Sequence, residues 1–278
     1  MKSYVKLVNF EVNRFIKIYV SLLIITLLSQ FIGVIVISTG LMKRAHEVMF
    51  EQNLSEKAYL HQFGGFDFTH ISSTPWFIGP IALCIAALIF YSFLIWYRDW
   101  FGKNTFAYRL LMLPTARISL YFSKATAILV LIFGLLAFQM ILLPLENALF
   151  ESLIQENFLQ TSMDVSSILQ SNGILGIIIP PYFSDFLISY GIGIMFVFVL
   201  FTSILFERSF RLKGIVLGIL YFIAAVLLYL SPLFIIGNET MPVLYPEEIF
   251  AIFLVLGIFI IGVSIIIGNW LISKRVLV

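Results

Sequence analysis

Six stretches of almost unbroken apolar residues alternate with shorter polar stretches along this chain. They lie near 18–40, 75–97, 118–143, 182–206, 214–236 and 249–272. Each has enough residues to cross about 30 Å of hydrocarbon as an α-helix. Runs such as Ile252 to Ile267 do not alternate between apolar and polar positions, which argues against the strands of a transmembrane barrel. Backbone polar groups in lipid must be satisfied within their own segment, so the pattern predicts six transmembrane helices.

The polar stretches carry pattern as well. Over residues 1–17, Met1, Tyr4, Val5, Val8, Val12, Phe15 and Ile16 fall on one side of a helix. Lys2, Lys6, Asn9, Asn13 and Lys17 fall on a neighbouring stripe, and only Leu7 and Phe10 interrupt the division. A basic amphipathic N-terminal helix of this kind lies in the membrane interface. The alternative is that it simply lengthens the first span. The two longest connections are 41–74 and 144–181. In the second, Leu145, Leu149, Leu153 and Ile154 recur at helical spacing beside Glu146, Glu151 and Glu156, which predicts a surface amphipathic helix over 144–159. Gly173 to Pro181 is too short to span, and reads as a re-entrant or interfacial piece or as a lead into the fourth span. No separate globular domain outside the membrane is expected. The fold class is therefore all-α integral membrane, with an interfacial helix at 1–17 and a six-helix transmembrane domain at 18–278.

Composition agrees with this reading. Of the 278 residues, 61% are hydrophobic and 12% charged, where a soluble domain carries about 25% charged residues. Mean hydropathy is +1.04. A net charge of +2 gives no bulk field that would attract nucleic acid, and none is expected as a partner. The single cysteine, Cys84, sits inside an apolar run and reads as a small buried hydrophobe. Lys2, Lys6, Glu11, Arg14 and Lys17 place too many charges in the first 17 residues for a cleaved signal peptide.

The placement of charge gives an orientation. With the N-terminus in the cytosol, the inner segments hold Lys2, Lys6, Arg14, Lys17, Arg98, Lys103, Arg109, Arg117, Lys124, Arg208, Arg211, Lys213, Lys274 and Arg275. Only Lys43, Arg44 and Lys57 of the 17 basic residues fall outside. This positive-inside bias predicts that both termini are cytosolic. The acids on the inner side are only Glu11, Asp99 and Glu207.

Catalytic chemistry is not visible. His46, His61 and His70 have no metal-ligand spacing. Glu247–Glu248 resembles the start of a glutamate-rich intramembrane protease motif, but Ile252 stands where that motif has arginine. The nearest approach to a phosphate-binding loop is Gly102–Lys103–Asn104, with Tyr97 in place of the first glycine. Gln139 is the main strongly polar side chain well inside a span, and Glu146 and Asp185 read as lying at outer edges. An ion-coupled transporter places ionisable groups at bilayer depth. No catalytic, metal or cofactor site is predicted, and transport would have to draw its energy from another chain.

The connection between the second and third spans, 98–117, holds the richest mixture of side chains. Trp100, Phe101, Phe106 and Tyr108 offer apolar area and Lys103 and Arg109 offer charge, in a short helix expected over 99–113 that ends before Pro114. Such a helix fits either a partner's pocket or an ordinary basic loop with interfacial aromatics. The residues that follow, Leu113, Pro114, Arg117, Tyr121 and Lys124, match a "tLP.sR..iy..K" stretch. Together with the basic N-terminal helix and six spans, they resemble the ABC-2 type transporter permease family. That family includes bacterial peptide-antibiotic, lantibiotic and bacitracin exporters. The resemblance implies a multi-pass subunit of the bacterial cytoplasmic membrane, which is not itself an enzyme. It implies a cytosolic ATP-binding-cassette ATPase seated on the coupling segment, a second permease chain (the same or related), and an amphipathic, peptide or lipid-like substrate connected with antibiotic resistance. The competing reading is a non-transporting membrane protein that sequesters a peptide or assembles partners.

Overall fold

The structure is a computed structural model that describes residues 2–100, 117–160, 165–171, 173–236 and 245–274. Six long helices carry the chain: α1 (Lys2–Glu51), α4 (Pro75–Trp100), α5 (Arg117–Leu153), α8 (Phe183–Phe210), α9 (Leu212–Ile236) and α10 (Pro246–Lys274). Short helices stand between them: α2 (Glu56–Phe63), α3 (Thr69–Ser72), α6 (Val165–Ser171) and α7 (Gly173–Ile178), with a single 3-10 turn at Glu156–Phe158. All six long helices are long and apolar enough to cross a membrane. Among the described residues there is no strand, only an isolated bridge between Phe66 and Leu159. The chain is a polytopic helical membrane protein, as the six apolar runs predict.

Two boundaries differ from expectation. Residues 2–17 are not a separate helix, because α1 runs unbroken to Glu51. No glycine or proline occurs before Gly33, so nothing interrupts the backbone hydrogen-bond ladder where the apolar run begins. Nor does 144–159 form its own surface helix. Pro144 lies inside α5, which continues to Leu153. Proline removes one ladder hydrogen bond, but Leu143, Phe150 and Ile154 on either side of it are buried in a shared core, which holds the helix on course.

The chain divides into two compact units. The first comprises Met1–Phe15, Leu88–Leu131 and Tyr182–Val278. Here α8 packs against both α9 and α10, around Met195, Val199, Ala225, Tyr229 and Ile260. Polar side chains tie the helices where apolar contacts alone would let them slide. Thr202 Oγ1 lies 3.0 Å from the Ser264 carbonyl oxygen, and the Tyr221 hydroxyl is 2.7 Å from Ser264 Oγ. At Gly268 a Cβ would lie 3.1 Å from the Tyr121 ring, so glycine allows α10 to approach that ring closely.

The second unit comprises Ile16–Ala87 and Ile132–Pro181. The two longest connections, 41–74 and 144–181, contribute here to a shared core. Tyr59, Phe66, Phe68, Ile71, Phe158 and Ile168 are all buried in one cluster with Val34, Phe77 and Phe150 of the long helices. The Phe66 amide donates to the Phe158 carbonyl at 2.7 Å, and the Gln160 amide donates to that of Phe66 at 3.1 Å. A Cβ on Gly65 would sit 2.9 Å from the Phe158 oxygen, which restricts that position to glycine. Asp67 caps α3 by accepting from the Thr69 amide at 3.1 Å, and meets His70 Nδ1 at 2.9 Å. Burial alone would raise the Asp67 carboxyl. Hydrogen bonds from Thr69 and His70, with the charge of His70, outweigh it and hold the group below its ordinary value near 3.8.

Candidate functional site: a charged hub at the start of the third span

The most unusual feature of the first unit is a lysine with no exposure. Lys124 lies two turns into α5 and is 0% exposed. Its ammonium has three donors, and each finds an acceptor: Glu11 Oε1 at 2.7 Å, Asp99 Oδ2 at 2.5 Å and the Ile95 carbonyl at 2.9 Å. Glu11 and Asp99 are buried too. Arg14 donates to Asp99 Oδ1 at 2.6 Å, and Arg98 donates to Glu11 Oε2 at 3.3 Å. Three cations and two carboxylates from α1, α4 and α5 thus form one closed network.

Aromatic rings wall the network. The Tyr91 hydroxyl donates to the Glu11 carbonyl at 3.0 Å, and Phe15 stacks on Tyr91 with ring centroids 4.0 Å apart. Lys124 Nζ stands 5.3 Å from the Trp96 ring centroid, where a desolvated cation–π contact adds to the ion pairs. Arg14 and Arg98 keep 22% and 31% of their side chains exposed, so the excess positive charge sits where solvent or headgroups reach it. Water exclusion makes every deletion in such a network costly, since a charge left without its partner stays buried.

The motif residues Arg117, Tyr121 and Lys124 follow one another at intervals of four and three, on one face of α5. Each holds a different neighbour. Arg117 donates to the Ile272 and Ser273 carbonyls at 3.2 and 3.4 Å, at the end of α10. The Tyr121 hydroxyl donates to the Phe198 carbonyl of α8 at 3.1 Å and lies 3.1 Å from Thr202 Oγ1. Lys124 holds α1 and α4. A single face of one helix therefore ties four other helices of the unit.

Of the residues expected to meet an ATPase, Phe101, Lys103, Phe106, Tyr108 and Arg109 lie outside the described residues, as do Leu113 and Pro114 of the motif. Trp100 is described, and it closes α4. It stacks on Trp96 at 5.4 Å, and the Arg208 guanidinium lies over it at 5.0 Å. Asp99, expected to open a separate helix over 99–113, is instead the buried penultimate residue of α4. The hub thus grips the chain on both flanks of the 101–116 connection, at Asp99 and at Lys124.

Beside the hub lies an apolar groove of about 340 Å³, lined by Phe93, Leu200, Ile204, Ile219 and Phe222 with Tyr97 and Glu207. The Tyr97 hydroxyl donates to Glu207, and Arg208 covers the Tyr97 ring at 4.9 Å. All three acids on the basic side of the chain, Glu11, Asp99 and Glu207, are therefore engaged by other side chains. Their scarcity amid basic residues is the sequence signal that could have marked them. Lys124 was legible as an inner charge and a motif residue, but not its ion pairs, because its partners lie 113 and 25 residues away. Among the described residues no three or more His, Cys, Asp or Glu side chains group to hold a metal.

Comparison with known protein families, with curated proteins and with solved structures gives no match to this chain. The likeness to ABC-2 permeases therefore rests on the motif and the six-span architecture.

Proposed function

We propose that this chain is the membrane-spanning permease subunit of a bacterial ABC exporter. It would move an amphipathic, peptide or lipid-like substrate across the cytoplasmic membrane with ATP hydrolysed by a separate cytosolic subunit. One observation carries the reading: the ion network clamps both flanks of the 101–116 connection to α1, while the motif residues tie the same helix to α8 and α10. A push on that connection by an ATPase would be delivered to Asp99 and Lys124 together, and through them to five helices rather than one. Densely paired networks are suited to transmit a displacement because they have few soft alternatives to absorb it. The apolar groove with a polar end at Tyr97 and Glu207 suits an amphipathic cargo better than a small hydrophilic solute.

The same completeness of pairing also suits a static scaffold, which is the second reading. The two separate by experiment. Phe106→Ala and Tyr108→Ala should weaken co-purification of a cytosolic ATPase, or uncouple its hydrolysis from export, while insertion stays normal. Truncating one anchor of this kind at an interface is commonly worth about 2 kcal/mol or more, roughly a thirtyfold loss of affinity. Wild-type co-purification and export in both variants at matched expression would remove the coupling role and leave the scaffold.

A further inference from the structure

We infer that Glu146 is a proton-binding site buried in the core of the second unit. Its side chain has 0% exposure, and neither carboxyl oxygen has a hydrogen-bond partner among the described residues. Among the described residues no other carboxylate is placed this way. Glu11 and Asp99 are as deeply buried, but each is met by cations.

Other polar side chains of α1 and α5 are buried in the same unit. Tyr19 packs against Gly134, and further along Gln30 Nε2 donates to Gln139 Oε1 at 3.2 Å. The two helices thus advance in the same direction. Two turns beyond Gln30 is Ser38, and two turns beyond Gln139 is Glu146. Ser38 is also fully buried, with an unpartnered hydroxyl. Gln30 Oε1 and Gln139 Nε2 are buried and unpartnered as well. Val34, Leu143 and Phe150 of the same two helices are buried in one apolar cluster.

The other described charged groups of the second unit make no hydrogen bond with Glu146. On α1, Lys43 and Glu47 face each other at 3.8 Å on the exposed side, and Lys17, Arg44, His46 and Glu51 are exposed. On α2, Glu56, Lys57 and His61 are exposed. Asp67 and His70 pair with each other. On its own helix, Glu151 accepts from Asn147 at 3.1 Å, and Glu156 beyond it is exposed. The stretch of α4 in this unit, Pro75 to Ala87, contains no ionisable side chain but Cys84, and α6 and α7 contain none. Thr26 is the neighbour of Cys84, at 3.4 Å.

A carboxylate with no counter-charge in such a core is strongly disfavoured, and proton uptake removes the charge. A divalent cation would need several oxygen ligands around it, and only one carboxylate is present, so the proton is the ligand that this donor set fits. The bound form is a neutral acid, which the apolar core tolerates. The inference does not depend on the permease reading. If the chain is a permease, proton uptake and release here would be coupled to the packing of α1 against α5.

A hydrophobic carbodiimide tests it on the full chain in lipid nanodiscs. The reagent adds across the O–H of a protonated carboxyl and rearranges to a stable N-acylurea, so the labelled peptide gains the whole mass of the reagent with no leaving group. Labelling located by peptide mass spectrometry should fall on Glu146 at neutral pH. Its rate should drop about tenfold per pH unit once the pH passes the titration of the group. Glu146→Gln should lose the label while the protein elutes and melts as wild type. Absence of label on Glu146 in the folded protein, with label appearing on the same residue after unfolding, would overturn the inference. A rate that stays flat across pH would overturn it too.

Discussion

Lys124 and Glu146 lie on the same helix, and both are fully buried, yet their surroundings are opposite. Lys124 meets Glu11, Asp99 and a carbonyl, and Arg14 and Arg98 complete the set. Glu146 meets none. A fully paired charge is locked in one protonation state and holds helices in register. An unpaired carboxyl has a protonation state open to change, and its ionised form strains the core around it. The comparison separates a structural use of buried charge from a responsive one.

The largest effect that can break this contrast is at Lys124. Lys124→Met removes the fully buried cation shared by Glu11 and Asp99, leaving them only Arg14 and Arg98, and should cost about 3–5 kcal/mol, read as a fall in the unfolding midpoint of the detergent-solubilised protein. Adding Glu11→Gln and Asp99→Asn to that variant should restore part of the loss, because the buried carboxylate charges leave with the lysine. If the single variant is as stable as wild type, the hub is not a closed network.

Next in size is the close approach that seats Tyr121. Gly268→Val places side-chain atoms against the Tyr121 ring, where a Cβ alone would lie 3.1 Å away. Overpacking of this kind costs about 1–3 kcal/mol. Thermal unfolding should show it, and Tyr121→Ala in the same background should relieve part of it.

Glu146→Gln should change stability at neutral pH by no more than about 1 kcal/mol, since one neutral polar group replaces another of the same shape. Its variant should differ from wild type mainly at high pH, where the native carboxyl ionises and wild type alone is destabilised. A loss comparable to Lys124→Met would mean that Glu146 has a hidden counter-charge, and the contrast would collapse.

The smallest effect is at Asp67. Its carboxyl is held low, so it favours the fold above its ordinary value near 3.8, and this support is lost as pH falls through the still lower folded value. The pair with His70 is partly exposed, so Asp67→Asn should cost below about 1 kcal/mol. Hydrogen exchange of the α3 amides should report it, with wild type and variant converging in acid.

Much of the fold was legible in the chain because lipid leaves so few choices. The six apolar runs had to be helices, and each long helix covers its predicted span. What stayed hidden lay at the ends of those spans. Residues 2–17 and 144–153 carry enough polar side chains to read as surface helices, but backbone continuity and burial of Phe15, Leu143 and Phe150 joined them to α1 and α5. Arg117, Tyr121 and Lys124 were legible as a motif, without their partners. Glu146 was legible as an outer-edge residue, but its burial was not, because hydropathy weighs a carboxylate by its type and knows nothing of Ile154, Phe158 or Ile168 packing in the same unit.

By itself the sequence determined the solvent, the number of spans and the helical class, since each follows from local composition and from backbone hydrogen bonding in hydrocarbon. Only the tertiary structure decided which charges meet. Glu11, Asp99 and Lys124 are far apart along the chain, and whether a buried charge is satisfied or stranded depends on side chains brought within about 3 Å by helices that the local pattern cannot pair.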